Sequence, residues 1–283
     1  MSSIDIKQPK ILNKAVLELM DQPGYLNIVL GEIYRVILHL IEDPNDERLL
    51  QKLEDMLSKN VKYIPRDKFR DLQAYDRTFR VWQYHRSGDI LYRQKIFEVL
   101  NNHLTEGYFY FDQKIPPLSL RLLLNAGLKL SKFDWVKELL NDHPPERICG
   151  TKYPVEAHNL NVAEYHFHKK EYAEAEAKLT YRLFENPNFS IMADVLLIKI
   201  YYEAGSELLD SRMKALEQKV RRTKISAETK AGYYNFLKKL DKVIKYGWQK
   251  KSPRRAKLIE EVRTTPGVFA REWLLEKLEA GAG

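Results

Sequence analysis

Apolar residues recur along this chain at intervals of three and four, and that spacing restricts most of it to helices. Leu72, Tyr75, Phe79 and Trp82 step by 3, 4 and 3 and so line one face of a turn-by-turn spiral. Leu160, Ala163 and Phe167 repeat the pattern, and Tyr172, Ala175, Leu179 and Leu183 continue it. Tyr233, Leu237, Leu240 and Ile244 form a further stripe. The aromatic run Tyr108–Phe111 is the best candidate for a strand, and it is short. The expected class is all-α.

Breaks divide these helices into pairs. Pro23-Gly24, Pro44, Ser87-Gly88, Pro116-Pro117, Pro144-Pro145, Pro154, Pro187, Gly205, Gly247 to Pro253 and Pro266-Gly267 interrupt the periodicity. Ser252-Pro253 reads as an N-cap followed by proline at the first helical position, where its missing N–H costs nothing. Ser226 with Glu228 reads the same way, the carboxylate favoured by the helix dipole. The intervals suit helices of roughly 12 to 20 residues joined by short loops.

Composition closes off several classes. At 44% hydrophobic residues, the chain can build a packed core and is not a disordered one. The single cysteine, Cys149, makes no internal disulfide and asks for no oxidising compartment. The N-terminus carries no basic-then-apolar leader, and the apolar stretch Leu26 to Ile41 is interrupted by Glu32, Arg35 and His39. These features predict a cytoplasmic protein with no membrane partner.

The segment Asn161 to Pro187 resembles one tetratricopeptide repeat (TPR). Ala163 falls at the first small position, Tyr172 at the aromatic after the turn, Ala175 at the family's alanine and Pro187 at the closing proline. Small residues let paired helices approach closely, and the tyrosine fills the space beside the turn. Lys170 stands where the family often has glycine, and Arg182 replaces its second alanine. Leu120 to Pro145 has the same layout, with Phe133 in the place of Tyr172, 39 residues earlier. Asp194 to Val220, turning near Gly205, and Phe79 to Leu104 are looser copies. Ile225–Ile244 and Ala270–Leu278 are similar to the ends of TPR-like repeat proteins of Bacteroidota that carry no assigned activity.

The resemblance implies an α-solenoid of antiparallel helix pairs, a TPR-like right-handed superhelix. Its expected organisation is an N-terminal helical region over 1–112, helix pairs over 113–220, and basic helices with a cap over 221–283. Each pair leaves an apolar face that only a neighbouring pair covers, and Trp273, Leu274, Leu275 and Leu278 are expected to cap the stack. The implied function is a non-enzymatic scaffold that binds a protein or peptide in a helical-repeat groove, which Glu164 and His168 are expected to face.

Charge supplies the alternative. Residues 211–257 hold 16 Lys and Arg against 3 Asp and Glu, a balance of +13 in a chain of net +8. Arg221, Arg222, Lys224, Lys238, Lys239, Lys242, Lys245, Lys250, Lys251, Arg254 and Arg255 are the candidate contacts for RNA, DNA or another polyanion. Tyr233, Tyr234, Tyr246 and Trp248 are nearby for stacking on bases. The competing reading of Lys238, Lys239, Lys242 and Lys245 is a solvated face opposite the apolar stripe, with Tyr233 in the core.

Chemistry at a catalytic centre finds less support. His158, His166 and His168 lie close in sequence, but only Glu164 and His168 share a face, short of the ligands zinc needs. Cys149 near His143 or His158 lacks an orienting third group. No glycine-rich phosphate loop is present, and Glu260-Glu261 are adjacent residues that face apart. No catalytic residue, metal or cofactor is expected.

Overall fold

The periodicity becomes thirteen α-helices among the described residues of this computed structural model: 29–87, 90–180, 184–246 and 253–279, without the side chains of 82–92. The first six are α1 (Val29–Glu42), α2 (Glu47–Asn60), α3 (Arg66–Ser87), α4 (Ile90–Thr105), α5 (Pro117–Lys129) and α6 (Phe133–Asp142). After a 3₁₀ turn at Pro145–Arg147 come α7 (Pro154–His168), α8 (Tyr172–Thr180), α9 (Pro187–Glu203) and α10 (Leu209–Arg222). The last three are α11 (Ala227–Tyr246), α12 (Pro253–Thr264) and α13 (Arg271–Glu279). The described residues contain no strand, only the isolated bridges Phe111–Lys114 and Ile115–Ile148. None of their helices is long and apolar enough to cross a membrane.

The described residues form two compact units, divided after Asn161, inside α7. In the first, each helix from α1 to α5 packs on the next. Ile33, Val36, Ile37 and Leu40 of α1 meet Leu50, Leu53 and Leu57 of α2 and Phe69, Leu72 and Phe79 of α3 in one buried cluster. The Asp46 carboxylate caps α2 by accepting from the backbone N–H of Arg48 and Leu49. The expected stripe on α3 shifts by one position. Tyr75 is exposed, and the buried seam passes instead through Asp76, whose carboxylate accepts two hydrogen bonds from Arg80 Nε. The Trp82 side chain lies outside the described residues.

In the second unit each helix from α8 to α12 packs on its successor, and α13 also returns to α11. Helix α9 is buried from Leu196 through Tyr201 without interruption, so it has no solvent face along that stretch. The expected final cap packs inward as Trp273, Leu274 and Leu278, while Leu275 is half-buried. Trp273 Nε1 donates to Glu203 at 2.7 Å.

Helix ends explain two departures from the sequence reading. Pro187 does not close a helix; it opens α9, with the Asn186 side chain accepting from the N–H of Asn188 and Phe189. Proline suits that first position because the N–H it lacks has no helical partner there. Lys170 does take the glycine's conformation, at φ 63°. The Lys170 N–H donates to Phe167 O and that of Glu171 to His166 O, the paired bonds that close a helix through a left-handed residue. Ser131 does the same 39 residues earlier, at φ 54°, with Leu128 and Gly127 as acceptors. Helices α6 and α8 begin two residues after these caps, at Phe133 and Tyr172. Gly205 repeats the cap between α9 and α10.

Candidate functional site

The basic candidates fall on three elements and meet different fates. Helix α11 is covered by α10, α12 and α13, so less of its surface is wet than an isolated amphipathic helix would show. Lys239 is therefore buried, with its ammonium 3.0 Å from Glu261, and Lys242 reaches the same carboxylate at 2.6 Å. Hydrogen bonds from Lys242 and then Lys239 hold the Glu261 carboxyl down to about 2. Arg255 is buried too, donating to the carbonyl of Leu278 at the end of α13. Lys245 pairs with Asp241 one turn back, an exposed contact that leaves its charge accessible.

Arg221 and Arg222 end α10, and Lys224 follows in the loop; all three are exposed, as are Lys238 and Arg254. Lys250, Lys251, Trp248 and Ser252 lie outside the described residues. Tyr233 is a core residue, its ring stacked 4.0 Å from that of Phe269 at 5°. Tyr246 is half-buried with the Arg254 guanidinium 5.8 Å above it. The solvated stripe expected at Lys238, Lys239, Lys242 and Lys245 is thus half absorbed into helix packing. Ile244, expected in the apolar stripe, is exposed, while Lys239 and Val243 are buried.

Glu164 and His168 do not open onto a groove together. Glu164 is buried against Lys199 of α9, 3.3 Å away, and His168 lies 3.8 Å from the same carboxylate. Lys199 also stands 4.1 Å above the Phe167 ring. A second buried acid on α9, Asp194, pairs with Arg212 and Lys219 of α10. His166 is taken by Glu171 at 2.6 Å. Among the described residues no three His, Cys, Asp or Glu side chains gather as a metal site would require.

His143 is committed elsewhere than to Cys149. Its Nδ1–H donates to Leu139 O at 2.7 Å, which leaves Nε2 to accept from the Tyr110 hydroxyl at 2.8 Å. Burial lowers the affinity of this imidazole for a second proton. The Tyr110 ring lies nearly parallel to the imidazole, at 12° and 5.6 Å. Burial raises the Tyr110 phenol above its ordinary value, so it is a fixed donor and not a base.

Tyr110 belongs to a site that the sequence reading passed over. Gly107 closes α4 at φ 77°, and the chain then forms a tight turn in which Phe111 and Lys114 exchange both backbone hydrogen bonds, at 2.8 and 2.9 Å. Asp112 and Gln113 at its tip have φ 47° and 62°. Two consecutive left-handed residues make a two-residue hairpin turn, where Asn-Gly is the relaxed choice. Side chains there cost about 1 kcal/mol each. The hairpin is tied to the 3₁₀ segment, since Ile115 N–H donates to Arg147 O and Cys149 N–H to Ile115 O.

These elements enclose an open cleft of about 480 Å³ lined by Arg66, Gly107, Tyr110, Asp112, Gln113 and Arg147. Arg66, the first residue of α3, lays its guanidinium on the Gly107 backbone and donates to Glu106 O at 3.2 Å. A Cβ on Gly107 would stand 3.0 Å from Arg66 Nη2, so a glycine leaves that seat free. Arg147 donates one bond, to Asp142 O at 3.1 Å. Both guanidiniums are exposed, and among the described residues neither forms an ion pair. Each retains N–H donors beyond the one in that bond, in the planar fork that matches a carboxylate.

The only sequence hints of this cleft are Gly107, the double proline Pro116-Pro117 and the aromatic run between them. In that run Phe109 is buried and Phe111 exposed, with the Arg70 guanidinium 3.9 Å over the Phe111 ring. Comparison with protein-family models, with curated proteins and with solved structures finds no match for the chain.

Proposed function

We propose that this protein is a non-enzymatic interaction module, built of TPR-like antiparallel helix pairs stacked as an α-solenoid, that holds a protein or peptide partner. The observation that carries the reading is the repeated left-handed cap at Ser131 and Lys170, each followed two residues later by a new helix. Repeated pairs joined this way present side chains at regular intervals, a geometry suited to extended or helical ligands. The single thiol, which can form no disulfide within the chain, favours a cytoplasmic setting.

The reading is tested by cross-linking and affinity purification of the full chain against a control protein of equal size and charge. A partner enriched on the protein, and retained when the purified pair is recombined, is the expected result. Absence of any pair that survives recombination would overturn the reading.

A second reading, polyanion binding, is favoured by one specific observation: Arg221, Arg222, Lys224 and Lys238 are all exposed on α10, α11 and the loop between them. Fluorescence anisotropy with a labelled single-stranded oligonucleotide at low salt tests it. Binding should weaken steeply with salt and fall when these four residues become alanine. No association at low salt would remove it.

A further inference from the structure

We infer that the Arg66–Arg147 cleft of the first unit is a carboxylate site that takes an acidic side chain of a peptide partner, an assignment that rests on the proposed interaction function. Three independent features meet there. The first is charge. The cleft's lining includes two guanidiniums and one carboxylate, that of Asp112, and Glu106 and Asp142 are the residues whose carbonyls hold the two arginines. A single carboxylate engages the two guanidiniums alone, whereas a phosphodiester chain would also carry successive charges past Asp112, Glu106 and Asp142. The second is donor supply. Each arginine donates to one backbone carbonyl, Glu106 O or Asp142 O, which leaves its other N–H groups for a ligand.

The third is the backbone. The tip that carries Asp112 and Gln113 adopts two left-handed conformations that glycine would adopt with less strain, yet the chain keeps side chains there. Both line the cleft, where the Gln113 amide adds a neutral donor and acceptor and Asp112 sets the charge. Strain retained at a ligand-facing turn is the pattern found where side chains are needed for recognition. The hairpin is also bolted in place, through Ile115 and Cys149 to the segment that carries Arg147. Arg147 and the hairpin tip therefore keep their spacing without a ligand.

The test is anisotropy of the full chain with a fluorescein-labelled decapeptide of alternating Glu and Ala. The Gln–Ala version and a single-stranded oligonucleotide serve as comparison probes. Binding of the Glu peptide, at least tenfold tighter than the Gln peptide, is the expected result. Arg66→Ala with Arg147→Ala should weaken it tenfold or more, and Arg66→Lys with Arg147→Lys should recover little, because charge without the planar fork is not enough. Arg221→Ala with Lys238→Ala, in the other unit, should leave it unchanged. Equal binding of the Glu and Gln peptides, no binding of either, or no loss in the double alanine variant would overturn the assignment. So would a cleft variant that loses oligonucleotide binding but keeps the peptide. Because both arginines are exposed, circular dichroism of the variants should match the parent. If the peptide result holds while no cellular partner survives recombination, the interaction reading fails and the site stands. A recombined partner that ignores the cleft variants gives the reverse.

Discussion

Ser131 and Lys170, 39 residues apart, occupy the same left-handed backbone well and close their helices with the same pair of hydrogen bonds. Both side chains are exposed, so the residue type there matters chiefly to the backbone. Ser131→Gly and Lys170→Gly should each stabilise the fold by about 0.5–1 kcal/mol in urea unfolding. Gly205→Ala is the converse. The Cβ would meet open space, so a loss of about 1 kcal/mol would report backbone strain alone.

Two other glycines are needed for space. A Cβ on Gly232 would lie 2.5 Å from Gly267 O and 2.7 Å from the Phe269 ring. Gly127 would place one 2.6 Å from Val136 Cγ2 and 2.9 Å from the Trp135 ring. Gly232→Ala and Gly127→Ala should each cost about 1–3 kcal/mol, the first by displacing the loop that carries Gly267 and Phe269 and the second by forcing two helices apart. Chemical denaturation measures both, and the Gly232 variant should also disturb the Tyr233–Phe269 stack seen in near-ultraviolet circular dichroism.

The Glu164–Lys199 pair is buried on both sides, each side chain about 10% exposed. Removing one partner takes from the other its buried counter-ion. Glu164→Leu or Lys199→Met alone should destabilise by about 3–5 kcal/mol, and the double variant by much less. A double-mutant cycle that shows additive losses would contradict this coupling.

His103 makes the stability depend on pH. Burial first, then the charges of Arg77 and Arg80, push its imidazole down to about 3, and Arg77 donates to its Nδ1 at 3.1 Å. The folded chain therefore keeps it neutral where the unfolded chain, near 6.5, takes up a proton. This contribution is complete above about pH 6.5 and is lost as pH falls toward 3, at roughly 1 kcal/mol per pH unit. His143, lowered in the same direction by burial, adds to the slope. Unfolding midpoints measured from pH 7 to pH 4 should fall, and His103→Gln should flatten the curve.

Much of the helical frame can be read from the sequence, because burial on one face leaves a mark every third or fourth residue. Leu160, Ala163 and Phe167 are buried as expected, and Ser226 caps α11 through Thr229 N–H. The stripe misleads where a polar residue is buried. Asp76 takes the place expected of Tyr75, because Arg80 can satisfy its carboxylate within the seam. Lys239 enters the core because Glu261 arrives from α12, 22 residues away, and no local pattern announces a partner at that distance. The cleft was less legible still. Its arginines come from positions 66 and 147, and its tip uses Asp-Gln in a turn whose usual sequence is Asn-Gly.

Helix α9 is enclosed by its neighbours, and its charges at Asp194 and Lys199 are answered from α10 and α7. That enclosure has an effect on synthesis. A ribosome that has released α9 but not yet α10 exposes a spiral that is apolar on nearly every side and has one buried acid unanswered. The second unit therefore has an interval, ending only once residues near Arg222 have emerged, in which a holding chaperone is most needed. Translational pausing just before that point should lower the yield of folded protein more than pausing just after it.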